Sequence, residues 1–92
     1  MIQNFKHRGL KRLYEYGDRS QVNPNHVEKI EIALADLDAA DVIEHLRRPG
    51  YRLHQLTGNL NGFHAIDISG NWRIIFRFEN GTAFDVELLD YH

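Results

Sequence analysis

The sequence predicts an α+β fold, with N-terminal helices packed on one face of a mostly antiparallel sheet of about four to five strands. Its apolar residues keep helical spacing up to Arg48 and switch to alternation after Gly50. Turn-rich links, "TGNLNG", "SGN" and "NGT", separate the alternating segments of the second half. With 92 residues, 42% of them hydrophobic, there is room for one core, so residues 1–92 read as a single domain.

Ile2 to Phe5 is short and extended in character. From His7 to Tyr16, Leu10, Leu13 and Tyr14 keep helical spacing, and Gly17 suits the left-handed residue that follows a helix. "DRSQVNPN" is a loop. Asn25 with Glu28 resembles a capping pair that opens a second helix, whose apolar stripe is Val27, Ile30, Leu34 and Leu37. "AADVIEHLRR" predicts one more short helical segment, ended by Pro49-Gly50. The expected strands are Tyr51–Leu56, Phe63–Ile68, Trp72–Glu79 and Ala83–Leu89.

Register decides which side chains share a face. A two-residue turn at Asn80-Gly81 would set Phe76 against Asp85 and Ile74 against Glu87. A three-residue loop including Thr82 sets Phe78 against Phe84, Phe76 against Val86 and Ile74 against Leu88, and pairs Arg77 with Asp85 behind them. The second register buries apolar against apolar and is the expected one. A three-residue loop through Ser69-Gly70-Asn71 likewise sets Ile68 against Trp72 and Ile66 against Ile74. Trp72, Ile74, Phe76, Phe78, Val86 and Leu88 then lie under the helices, while Arg73, Arg77, Asp67 and Tyr91 share the open face. An inward Leu53 turns Arg52 and His54 to that same open face. Parity sends Asp90 and His92 opposite to Tyr91, so joint action there requires the end of the strand to twist out of its ladder.

The absence of cysteine excludes disulfides and thiolate metal sites, and no apolar run is long enough for a signal peptide or membrane helix. A soluble, cytoplasmic protein with no membrane role is expected. Net charge is −2, but it is segregated: Lys6, Arg8, Lys11 and Arg12 open the chain, and acids dominate residues 13–46. Arg47, Arg48, Arg52, Arg73 and Arg77 then face Asp67 alone. Such segregation builds a basic face for a polyanion, or lets acidic helices neutralise a basic sheet.

RNA carries its own nucleophile. Cleaving it takes a base for the 2′-hydroxyl, a cation for the extra phosphate charge and an acid for the leaving oxygen, with no metal or cofactor. His54, Arg73, Tyr91 and His92 suffice for those tasks, and Asp90 can orient an imidazole. Each also has a plainer reading. Arg73 can pair with Asp67, His54 can be a half-buried polar group, Tyr91 a sheet-edge aromatic and His92 a frayed end. His7, His26, His45 and His64 show no ligand spacing and read as structural or solvated. Arg47, Arg48 and Arg52 suit phosphates or a solvated charge run.

"MIQNFKHRGLKRLYEYG", "YRLHQLTGNLNGFHAIDISGNWRIIF" and the closing "DYH" together resemble the HigB toxins of the RelE/ParE superfamily, found in type II toxin–antitoxin systems and also labelled plasmid-maintenance killer proteins. The resemblance spans essentially the whole chain, and "NWRI" combined with a final "DYH" is fairly specific. It implies the RelE-like form of the fold above and a ribosome-dependent endoribonuclease that cuts mRNA in the ribosomal A site. It also implies a HigA-type helix-turn-helix antitoxin, through which alone operator DNA is met. Catalytic roles carry over to His54, Asp90, Tyr91 and His92, with Arg73 near the phosphate and Asn71 at a base or the backbone. Thr57 stands where relatives often have lysine, which shifts RNA binding toward Arg52 or Arg77. ParE-type toxins share the fold but poison DNA gyrase, and for such a toxin His54 and the terminal trio are dispensable. A protein-binding module that uses the acidic helices is the third reading. The ribonuclease is preferred because its candidate groups converge from two distant strands.

Overall fold

The computed structural model describes residues 1–90. Helix α1, Arg8–Tyr16, starts at His7, whose Nδ1 accepts the Leu10 N–H at 3.0 Å, and stops at Gly17, which takes the left-handed φ of +68° expected of it. Leu10 and Leu13 are buried from this helix. Gly9 is a close-approach position: a Cβ there would lie 2.8 Å from the Gln21 carbonyl oxygen. Helix α2, Val27–Ala39, buries the expected stripe of Val27, Ile30, Leu34 and Leu37, with Ala33 between them.

The start of α2 corrects the sequence reading. His26 takes the cap position without a side-chain hydrogen bond, so the expected Asn25–Glu28 pair does not cap the helix. Asn23 instead turns the loop locally, its side chain accepting the Asn25 N–H at 2.9 Å. The third helical segment shrinks to a 3-10 turn, Ile43–Leu46, anchored by the fully buried Leu46. Among the described residues no helix is long and apolar enough to cross a membrane.

Strands β1 (His54–Gln55), β2 (His64–Ser69), β3 (Trp72–Glu79) and β4 (Thr82–Asp90) form an antiparallel sheet in that order. The Tyr51–Leu56 expectation is reduced to two laddered residues. The N-terminal segment runs parallel along the outer edge of β4, with bridges at Ile2–Ala83 and Phe5–Val86. Hydrogen bonds from Gln3 N–H to Ala83 O and from Lys6 N–H to Val86 O, both 2.8 Å, cover that edge.

Both hairpins depart from the expected loops in the same way. Glu79 pairs with Thr82 across a two-residue Asn80-Gly81 turn, whose φ values of +51° and +76° suit that tight connection. Arg77 then faces Phe84, and the register shifts at a bulge where Asp85 has φ +52°. Beyond it Ile74 faces Leu88 as expected. In the preceding hairpin Ser69 faces Trp72 across Gly70-Asn71, and a shift between Asp67 and Ser69 restores Ile66 against Ile74. Each extra residue sits in a strand rather than in the turn. Asn4 supports the second bulge, accepting the Asp85 N–H at 3.1 Å and donating to the Asp85 carboxylate at 2.8 Å.

The main core lies between helices and sheet and includes Leu10, Ile30, Leu37, Leu46, Ile66, Ile74, Phe76 and Val86, with Trp72, Phe78 and Leu88 partly buried against it. A second cluster occupies the opposite face: Leu56, Phe63, Ala65 and Ile75, flanked by Leu60 and Leu89. The link between β1 and β2, containing a 3-10 turn at Gly58–Leu60, carries Leu60 to this cluster. The open face is therefore apolar at its centre and charged around it.

Candidate active site

Antiparallel partners share a face, so the ladder fixes the layout of the open side. One row runs His54, Ala65, Ile75, Glu87, and the next runs Asp67, Arg73, Leu89. His54 and Arg73 stand two strands and one pleat apart, which places their Cα atoms about 12 Å from each other given the usual sheet spacings. Side chains reaching inward from both ends can address one phosphodiester over that distance.

His54 is exposed, and its Nδ1 lies 2.7 Å from the Arg52 carbonyl oxygen. A carbonyl only accepts, so Nδ1 carries the hydrogen and Nε2 of the neutral ring keeps its lone pair. Arg52 adopts a left-handed backbone, φ +49°, rare for a side chain of its size. Asp67 lies between two arginines: its carboxylate is 3.1 Å from Arg73 Nε and 3.6 Å from Arg52 Nε. Arg73 also donates from Nη1 to the Asn71 carbonyl at 3.2 Å. Asn71 thus holds the Arg73 side chain through its backbone. The plain pairing of Arg73 with Asp67 and the shared open face are both present.

Arg77 lies at the far end of that face, 4.6 Å over the Phe63 ring and 3.6 Å from the Asp85 carboxylate, the ion pair expected from the sequence. Asp90 pairs with Trp72 at the end of β4. By parity it stands on the helix side, away from the row of Arg73, in line with the sequence reading. Tyr91 and His92, the remaining two site residues, lie outside the described residues.

Sequence reasoning missed the surroundings of His54. A cleft of about 430 Å³ beside it is lined by Glu44, Arg47, Leu53, Gln55 and His64. His64 stacks on Phe76, centroids 5.7 Å apart, and burial lowers its pKa. The helical turn that brings Glu44 and Arg47 to this edge has no long-range signature in the sequence. Arg48, in contrast, is held by Asp36 at 3.2 Å, beside the Tyr51 hydroxyl, whose pKa burial and the same carboxylate push up. His7 and His26 stand at helix starts and His45 accepts the Asp41 N–H at 3.3 Å, which fits their structural reading. Among the described residues no group of three or more His, Cys, Asp or Glu side chains is placed to hold a metal ion.

The profile of a family described as RelE-like toxin of type II toxin–antitoxin system HigB matches residues 3–92. The chain is 44% identical over 92 residues to Endoribonuclease HigB of Proteus vulgaris, covering all of both proteins. It is 35% identical over 94 residues to Toxin HigB-1 of Vibrio cholerae, covering 96% of this chain and 95% of that one. In fold it is similar to chains in two Staphylococcus aureus YoeB–YefM complexes, with TM-scores of 0.59 and 0.63 at 18% and 17% identity, each covering 100% of this chain and 95% of the other.

Proposed function

This chain belongs to the HigB-like toxins, the RelE-like toxins of type II toxin–antitoxin systems, and we propose that its endoribonuclease activity is directed at mRNA in the ribosomal A site. The observation that carries this reading is the open sheet face, where His54 with a defined Nε2 lone pair stands one row from Arg73.

In this mechanism Nε2 of His54 takes the proton of the ribose 2′-hydroxyl. The oxygen attacks the adjacent phosphorus, and Arg73 stabilises the charge that gathers on the phosphoryl oxygens. The bond to the 5′-oxygen breaks as His92 or Tyr91 protonates it, leaving a 2′,3′-cyclic phosphate and a 5′-hydroxyl. Asp90, on the helix side of β4, supports the charge of the acid when the end of that strand twists out of its ladder toward the open face. Arg52, Arg77 and Asn71 hold the RNA strand, and neither metal nor cofactor takes part.

A HigA-type helix-turn-helix antitoxin neutralises the protein and brings it to operator DNA. The YoeB neighbours, toxins in complex with YefM, support an antitoxin as partner. The site of action is the cytoplasm, on ribosome and mRNA, with no membrane involved.

Induction in bacteria with mapping of mRNA 5′ ends tests the proposal, using the unmodified chain, His54→Ala and His92→Gln. Discrete cuts inside translated codons are expected, falling by about 10²–10⁴-fold in either variant, the usual contribution of a general acid or base. Growth arrest with intact mRNA and damaged DNA would replace the ribonuclease with a gyrase poison. Equal cutting of naked and ribosome-bound RNA would remove the ribosome from the mechanism.

A further inference from the structure

A carboxylate is the wrong charge for a surface that receives a phosphodiester. Asp67 nevertheless sits in the middle of the candidate site with its side chain only 17% exposed, and the mechanism above gives it no task. Its connections suggest one. Its two carboxylate oxygens face different guanidinium groups, Oδ1 toward Arg73 Nε at 3.1 Å and Oδ2 toward Arg52 Nε at 3.6 Å. Its N–H donates to the Tyr51 carbonyl at 2.7 Å, fastening to β2 the residue just before Arg52. Arg52 in turn holds His54, since its carbonyl accepts the Nδ1 hydrogen.

We propose that Asp67 is a positioning residue for RNA cleavage: it aims Arg73 at the scissile phosphate and holds the Arg52 turn that sets the His54 tautomer. The inference rests on the ribonuclease reading above and deepens it. A guanidinium is planar, so the Nη1 hydrogen bond to the Asn71 carbonyl orients the group, while the Asp67 carboxylate, an ion pair 3.1 Å from Nε outside hydrogen-bond geometry, draws it to that side by charge. Arg73 is held in both ways, by Asp67 and by the Asn71 carbonyl. Arg52 occupies a backbone region that a long side chain adopts only when its surroundings impose it. The Asp67 side chain supplies one imposition, the ion pair at 3.6 Å, and the backbone N–H of the same residue supplies another, the hydrogen bond to the Tyr51 carbonyl, which Asp67→Asn leaves in place.

The charge of Asp67 gives the proposal a distinctive signature. A purely structural lesion lowers the amount of folded protein and leaves each folded molecule unchanged. Removing a positioning anion from a phosphate site does something else: binding holds or improves because a repulsive charge is gone, while the chemical step slows because the cation and base lose their aim.

The experiment compares the unmodified protein with Asp67→Asn on ribosomes programmed with mRNA. Single-turnover cleavage gives the rate, and binding is measured on an mRNA with a 2′-deoxyribose at the cut. The expected result is a rate at least tenfold lower with affinity equal or tighter. Long-range proton–nitrogen spectra of the RNA-free protein provide a second readout. They should show the Nδ1–H tautomer of His54 in the unmodified chain and in Arg52→Gly, which accepts the left-handed backbone, and a mixture in Asp67→Asn. An unchanged or faster rate in Asp67→Asn overturns the proposal. So does a loss of rate and affinity in equal proportion that follows the melting temperature. If the unmodified protein cuts no RNA at all, the ribonuclease reading fails instead, and the spectra still decide whether Asp67 positions His54.

Discussion

The two faces of strand β3 are built from alternate residues of one short segment and do different work. Ile74 and Phe76 are fully buried beneath the helices, where Leu10, Ile30 and Leu37 meet them. Alternating with them in sequence stand Arg73, Ile75 and Arg77, whose face mixes a small apolar centre with charge. The helix side removes apolar area from water and supplies most of the folding energy. The open side keeps its polar groups in fixed pairs at a modest net contribution. Neighbouring substitutions on one strand should therefore have effects of different size and kind.

The largest expected effect is at Phe76. Truncation to alanine removes a ring at the centre of the main core and should cost about 3–5 kcal/mol, a large share of the total for a domain that has about 5–15 kcal/mol. Ile75→Ala, one residue away, empties part of the smaller cluster formed with Leu56, Phe63 and Ala65. It should cost about 2–3 kcal/mol, the low end for a buried isoleucine, because so shallow a cluster can close over the gap. Denaturant unfolding of both variants checks the order. Equal costs, or a larger one at Ile75, would mean that the open face is a second full core.

The helix-side parity was legible because amphipathic spacing and strand alternation are local signals, and Trp72, Ile74 and Phe76 have only one way to be buried together. The turns were not legible for an instructive reason. A three-residue loop and a two-residue turn followed by a bulge each add one residue between the paired strands. They place every residue beyond the bulge identically, so Ile74 meets Leu88 either way. In the second hairpin Asn4 fills the bulge at Asp85 from the far end of the sequence, a contact that no local pattern announces. The second apolar cluster was hidden similarly, since Leu56 and Phe63 flank a polar link with no periodic pattern and Leu60 lies within it. In the candidate site, the open-face placement of His54 and Arg73 was readable by parity, whereas Arg52 reaches Asp67 from a left-handed turn outside the ladder. Asp67 was foreseen as a partner of Arg73 and missed as the shared partner of Arg52.

A smaller effect separates the faces by pH. His64 lies on the helix-side parity of β2, stacked on Phe76, and burial holds its pKa below the ordinary 6.5. As pH falls through 6.5 the unfolded chain takes up a proton before the folded one does. This contribution to stability is therefore complete above 6.5 and is lost as pH falls toward the depressed folded value. His64→Gln should flatten the decline of stability between about pH 7 and 5. Unfolding curves across that range check it, and an unchanged slope would leave the acid sensitivity to other groups.

The smallest expected effect tests how firmly the open face is fixed. Arg77 Nε and the Asp85 carboxylate are 3.6 Å apart, with side chains 50% and 30% exposed, so solvent screens the pair. Coupling across such a pair is about 0.2–1 kcal/mol, and the long separation argues for the lower half. Single-residue effects would mislead here. Asp85 holds a left-handed φ of +52°, so Asp85→Gly relieves backbone strain while deleting both the ion pair and the Asn4 hydrogen bond. Arg77→Ala loses its packing over Phe63 as well as its charge. A double-mutant cycle of Arg77→Ala with Asp85→Asn removes these private terms, because asparagine keeps the tolerance for positive φ and an oxygen for Asn4 to donate to. The coupling should be favourable, small and weaker as salt is raised. A coupling above about 1 kcal/mol that ignores salt would mean the pair is sealed from water, in the manner of the helix side.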